Sequence, residues 1–125
     1  MDELKRDFER CWPWLKASID RYGNTLGKDD LWKQLADRRA FLTSGQRCVI
    51  VYKIIDYSTG WRSLYLWLVG GDEDEALEEL LPLIDRLEAW SKTKGCSKSL
   101  IFGRRAWGKV LKEYKEYGTR FMKDL

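Results

Sequence analysis

Histidine is absent from the 125 residues, proline occurs twice and cysteine three times. Without histidine there is no His-containing triad and no imidazole base, and most zinc sites are ruled out. Cys11, Cys48 and Cys96 are odd in number, far apart and form no Cys-x-x-Cys pair. That pattern fits free thiols in a reducing cytoplasm, with no metal site expected. No apolar run approaches the ~20 residues of a membrane helix. The opening "MDELKRDFER" is charged and amphipathic, unlike a secretory leader, so an intracellular protein without membrane association is expected. Neither a linker, a repeat nor a low-complexity tract interrupts the chain, and one domain over residues 1–125 is expected.

What is present is ordinary in amount but uneven in placement. Residues 72–90 carry eight acids and one arginine, a net −7, whereas residues 91–125 carry ten bases and three acids, a net +7. Such polarity can steer a partner, acidic to one face and basic to the other. It also describes two solvated helix faces that attract each other weakly.

Periodicity assigns the elements. Residues 2–22 place Leu4, Phe8, Cys11, Leu15 and Ile19 at helical spacing, with Pro13 predicting a kink or a fresh start. "GKDDLWKQLADRRA" predicts a second helix, with Asp29 or Asp30 as N-cap and Leu31, Trp32, Leu35 and Ala36 on one side. From Phe41 the period changes. "RCVIVYKIIDY" and "WRSLYLWLVG", separated by "STG", read as an antiparallel hairpin. In its second strand Leu64, Leu66 and Leu68 face one way and Tyr65, Trp67 and Val69 the other, as in a sheet covered on both faces. Residues 73–94 form the longest helix, with Leu77, Leu80, Leu81, Ile84 and Leu87 as its stripe and Lys92, Lys94 and Gly95 as its stop. "SKSLIFG" is strand-like, "RRAWGKVLKEYKEYG" is helical and "TRFMKDL" suggests a last edge strand. A long helix between strands 64–69 and 98–102 implies a parallel crossover. The fold class is therefore α/β: a mixed sheet with an antiparallel hairpin, a parallel crossover and helices on both faces.

This order resembles the GNAT-type N-acyltransferase fold. More narrowly, "CWPWL", "DDLWKQL", "LYLWLVGGD" and "GRRAWGKVL" resemble a group of small GNAT-like proteins encoded by bacteriophages and prophages. The resemblance spans roughly residues 8–118 and implies a GNAT-like fold and a phage origin, without a defined activity.

In acetyl-CoA-using members of the superfamily, the strand before the crossover helix ends in Gln or Arg, two residues, Gly, one residue, then Gly or Ala. Backbone N–H groups there hold the pyrophosphate. With Gly70 as the first glycine, Trp67 stands in place of Gln or Arg, and Asp72 in place of the second small residue. Asp72, Glu73, Asp74 and Glu75 follow at the helix N-terminus, where the macrodipole favours negative charge. With Asp72 as N-cap, their carboxylates are expected to occupy the donors a pyrophosphate would need. Many members also carry a tyrosine four residues before a glycine as general acid, a position Tyr114 matches in "YKEYG". Tyr114 equally completes the apolar stripe of its helix. Asp56 and the acids of the crossover helix are the candidate general bases.

"GRRAWGK" joins Arg104 and Arg105 to Trp107 and Lys109 at a strand–helix junction. It reads as an anion or partner site, or as two solvated arginines beside a core tryptophan. A modest net charge and the lack of a recognised motif argue against nucleic acid. Trp12, Trp14 and Trp61 flank a proline or a turn, and serve either as interface anchors or as packing. The resulting expectation is a phage-derived GNAT-like protein with a degenerate acyl-CoA site and no cofactor. It would bind a phage or host protein through Trp12, Trp14, Trp61, Arg104 and Arg105, in the infected cytoplasm or the virion. The alternative is an acetyl-CoA-dependent N-acetyltransferase in which Gly70 and Gly71 line the phosphate loop and Tyr114 is the acid.

Overall fold

The computed structural model describes residues 2–21 and 25–101, together with the single positions Tyr114 and Lys123. Helix α1 (Asp2–Arg21) and helix α2 (Lys28–Ala36) precede strands β1 (Phe41–Ser44), β2 (Cys48–Asp56) and β3 (Arg62–Gly71). Helix α3 (Glu73–Thr93) and strand β4 (Lys98–Ile101) follow. The helix expected at 104–118 and the strand expected at 119–125 lie outside the described residues, apart from Tyr114 and Lys123.

Helix α1 buries Phe8, Cys11, Leu15, Ser18 and Ile19, a stripe at spacings of three and four. Pro13 sits inside this continuous helix on its exposed side, where the N–H it lacks is the main loss. In α2 the N-cap is Gly27 rather than Asp29 or Asp30. Both aspartates fall instead in the first turn, where their charge complements the helix dipole. The chain leaves α2 through Arg38, whose φ of 58° is left-handed. It then enters β1, a strand the sequence reading did not separate from the following loop.

The sheet order is β1-β2-β3-β4, with β1/β2 and β2/β3 antiparallel and β3/β4 parallel. Gly60, at φ 91°, closes the β2–β3 hairpin, and its N–H bonds the Tyr57 carbonyl. Val51 pairs with Leu68 but Tyr52 pairs with Leu66, so Trp67 is the extra residue of a β-bulge. The bulge reverses the alternation. Leu64, Leu66 and Val69 pack with Cys48 and Ile50 beneath α3, while Leu68 joins Val49 and Val51 beneath α1 and α2. Leu68 and Val69 thus lie on the faces opposite to those that strict alternation predicts.

Two buried layers result, one on each face of the sheet. Under α3 the buried stripe is Ala76, Leu80, Leu83, Ile84 and Leu87, rotated from the expected one because Leu77 and Leu81 are only half-buried. Burying each leucine fully contributes about 1.5–3 kcal/mol. Pro82 is exposed inside a continuous α3. The helix ends as its sequence predicts, with Gly95 at φ 85° and the Gly95 N–H bonded to the Lys92 carbonyl.

Candidate coenzyme seat

The glycines of "LVGGDEDE" end β3 opposite Val49 and Cys48. A Cβ on Gly70 would stand 2.7 Å from the carbonyl oxygen of Trp14. A Cβ on Gly71 would meet the Ala76 Cβ at 2.7 Å as well as the Arg47 carbonyl. Each glycine therefore admits a close neighbour: Gly70 the main chain of α1, and Gly71 the first turn of α3 and the start of β2.

Asp72 occupies the N-cap of α3, and its carbonyl accepts the Ala76 N–H at 2.9 Å. Its carboxylate does not cap the helix, contrary to expectation. Oδ1 accepts instead from the indole Nε1 of Trp14 at 2.8 Å. The Asp72 N–H is given to the Arg47 carbonyl at 2.9 Å. Asp72 is thus held from both sides, by α1 through its side chain and by the β1–β2 turn through its backbone.

Two turns along α3 from Asp72, Glu79 reaches back to the same β1–β2 turn. Its Oε1 accepts the Arg47 N–H at 2.8 Å and lies 3.3 Å from the Cys48 Sγ. The carboxylate fills the space over Gly45 that any Cβ there would need. The Arg47 N–H holds the Glu79 carboxyl below its usual range. Burial, reinforced by that carboxylate, pushes the Cys48 thiol up to about 12, so it is no thiolate nucleophile at neutral pH.

Tyr114 contacts the α3 side of the sheet, packed against the core that contains Leu64 and Leu66. Its hydroxyl donates to Glu88 Oε2 at 2.9 Å and shares a short hydrogen bond with the Ser99 hydroxyl. The single phenolic proton goes to Glu88, so Ser99 is the donor in the second bond. Burial raises the tyrosine pKa, the Glu88 carboxylate adds to the rise, and the Ser99 bond opposes it. Ser99 is in register with Leu64, six residues before Gly70 on β3. The hydroxyl therefore lies roughly 20 Å along the strand from the glycines.

The other sequence candidates scatter. Asp56 is tied to Arg62 Nε at 2.6 Å, an exposed ion pair rather than a waiting base. Trp12 is half-buried between Phe8 and the Lys28 ammonium, which sits 5.4 Å from its ring. Trp14 is spent on Asp72 and Gly70. Trp61 stays 57% exposed beside the hairpin turn, with the Lys98 ammonium 5.1 Å from its ring. Arg104 and Arg105 lie outside the described residues. Sequence reasoning did not single out Trp90 and Phe41, which are both exposed and bracket the ring of Tyr52. The signal was a tryptophan three residues beyond Leu87, just off the buried stripe. Among the described residues, no group of His, Cys, Asp or Glu could hold a metal ion, and no helix is long and apolar enough to cross a membrane.

No protein-family model and no curated protein matches the chain. Solved structures do. A probable acetyltransferase aligns with a TM-score of 0.66 at 14% identity, covering 95% of each chain. The ribosomal-protein-alanine N-acetyltransferase of Brucella melitensis biovar Abortus 2308 aligns at 0.60 and 19% identity, over 93% of this chain and 94% of that one. An aminoglycoside acetyltransferase from an uncultured soil metagenomic sample aligns at 0.65 and 11% identity, over 96% and 91%. The likeness is one of fold, and the fold is GNAT-like: a mixed α/β sheet shared with GNAT-type acetyltransferases.

Proposed function

We propose that this GNAT-fold chain works by binding a protein partner and that its coenzyme seat is closed. The supporting observation is the position of Trp14. A diphosphate at a strand–helix junction needs unobstructed backbone N–H groups. Here the α1 main chain covers Gly70, the Trp14 indole holds Asp72, and the Asp72 N–H is already donated to Arg47. The sequence adds four consecutive acids, Asp72 to Glu75, a run of like charge that disfavours a bound anion. The residue in place of the usual Gln or Arg is Trp67, and the bulge spends it on packing against the α1/α2 layer, with the Lys53 ammonium 3.9 Å from its ring.

On this reading Trp61 is the most available ring for a partner, with Trp12, Trp14, Arg104 and Arg105 as the further proposed contacts. The resemblance to phage-encoded proteins supports a virion-associated role with a phage or host protein as partner. Isothermal titration with acetyl-CoA tests the closed seat. No heat of binding is expected at millimolar coenzyme, and micromolar binding that W14F strengthens would overturn the reading.

A second reading is favoured by one observation: among the solved structures that share this fold are a probable acetyltransferase and two acetyltransferases. Under it, acetyl-CoA is the acyl donor, Gly70 and Gly71 line its phosphates and Tyr114 protonates the departing thiolate. Turnover with an amine acceptor, lost in Y114F with KM retained, would favour this reading.

A further inference from the structure

Strand β1 is an edge of the sheet among the described residues. It reads "FLTS", with no lysine or proline to discourage pairing along its outer side. A cavity opens beside it on each face of the sheet. On the α1/α2 face an open hollow of about 300 Å³ is lined by Leu4, Leu35, Ala40 and Leu42, with Tyr52 at its edge. On the α3 face about 500 Å³ lies among Arg39, Phe41, Ile54, Trp90 and Lys94. Arg38 and Phe41 border both, so the two cavities meet at the edge strand.

Their chemistry differs. The first is apolar. The second has four cations on its wall, Arg38, Arg39, Arg62 and Lys94, against one carboxylate, Asp56. Arg62 consumes that carboxylate at 2.6 Å and also donates to the Lys94 carbonyl, offsetting the negative end of α3. Arg39 reaches Asp37 only at 3.5 Å. Neither Arg38 nor the Lys94 ammonium forms an ion pair among the described residues. Phe41 and Trp90 give this cavity an aromatic wall, and both rest on the ring of Tyr52, which lines the first cavity: Phe41 stacks on it at 5.6 Å and Trp90 meets it edge-on at 5.8 Å. Arg38 adopts a left-handed backbone that residues other than glycine seldom use, and it directs the chain from α2 into β1.

We propose that β1 accepts an extended segment of a partner protein as an added strand whose side chains alternate between acidic and apolar. Successive side chains of a strand point to opposite faces. One parity would enter the cavity between Leu4, Leu35 and Leu42, and the other would lie over Phe41 and Trp90 against Arg38, Arg39 and Lys94. Main-chain pairing supplies affinity, while the paired cavities select the pattern. A second copy of this chain is the poorer occupant, because "FLTS" brings no acid to the basic cavity. The proposal holds whether or not the chain transfers acyl groups.

The test is fluorescence anisotropy with the whole protein and a labelled, blocked peptide of about ten residues alternating glutamate with valine. Saturable binding is expected, with amide shift changes centred on Leu42, Thr43 and Ser44. Arg38→Gly keeps the left-handed backbone and removes the charge, and with Arg39→Glu it should weaken binding at least roughly tenfold, about 1.4 kcal/mol. A peptide alternating lysine with valine should not bind. N-methylation of alternate peptide nitrogens, in whichever parity faces β1, should weaken binding as strongly, since it keeps every charge and removes the strand donors. No binding at millimolar peptide, or equal binding by both N-methylated forms, overturns the proposal. So does an unliganded dimer that Phe41→Lys dissociates, because the edge would then belong to a second copy.

Discussion

The indole N–H of Trp14 donates to the carboxylate of Asp72 across 2.8 Å, joining α1 to the start of α3 between residues 58 positions apart. Trp14→Phe keeps the ring and removes the donor. Loss of a hydrogen bond to a charged acceptor at this half-exposed site should lower stability by about 1 kcal/mol. Urea unfolding monitored by far-UV circular dichroism checks it. Asp72→Ala should cost a similar amount, and the double variant should cost little more than either alone, because both remove the same bond.

Gly70 and Gly71 each lie where a Cβ would meet a close neighbour. Gly70→Ala would press a methyl group to within 2.7 Å of the Trp14 carbonyl, a backbone atom that moves only with α1. Overpacking of this kind is expected to cost about 1–3 kcal/mol. Gly60→Ala, with nothing within 4 Å of the new Cβ but φ at 91°, should cost about 1 kcal/mol through backbone strain alone. Thermal midpoints of the three proteins should therefore fall in the order wild type, Gly60→Ala, Gly70→Ala.

The bulge at Trp67 sets which core each residue of β3 enters. Leu66→Ala and Leu68→Ala should each cost about 2–5 kcal/mol, although the two side chains fill different layers. Deleting Trp67, the extra residue, should leave Leu66 and Leu68 opposite Tyr52 and Val51 and on their own faces of the sheet. The variant should therefore stay folded, losing the bulge and the Trp67 packing on the α1/α2 layer, and a molten chain would show that the bulge itself is needed.

These cases mark where sequence reading succeeded and where it stopped. The stripe of α1 was readable because Phe8, Cys11, Leu15 and Ile19 alternate with charged residues, which fixes the phase of the helix. The phase of β3 was not, because "LYLWLV" is apolar on both faces and no polar residue marks the slip at Trp67. Strand β1 is four residues long, too short to display a period of two. The seat at Gly70 was visible as a glycine pair followed by acids. Its occupant was not, since Trp14 reaches it through the tertiary fold rather than through any local pattern.

Tyr114 should steepen the loss of stability in alkali. Its folded-state pKa is raised by burial, so its contribution is complete below the unfolded tyrosine value near 10 and declines as pH rises beyond it. Tyr52, raised by burial as well, adds to the same slope. Denaturant midpoints measured between neutral pH and pH ~11 should fall less steeply in Tyr114→Phe than in the parent protein. At neutral pH that variant should be less stable by about 1 kcal/mol, since Glu88 and Ser99 lose a shared partner.

Glu79 should govern the opposite limb. Its folded pKa lies below the ordinary 4.5, chiefly because the Arg47 N–H bonds the charged form. The contribution is therefore complete above the unfolded value and is lost as pH falls through the folded one. Glu79→Gln keeps an acceptor for Arg47 but removes the titrating charge, so its stability should change less than that of the parent between pH ~5 and ~2. The same substitution takes a carboxylate away from Cys48, the second cause after burial that holds its thiol protonated. Burial remains the larger cause, so Cys48 should stay slow towards iodoacetamide at pH 8 in the folded variant and react only on unfolding. Rapid alkylation of folded Glu79→Gln, with circular dichroism unchanged, would show instead that the carboxylate rather than the core keeps this thiol inert.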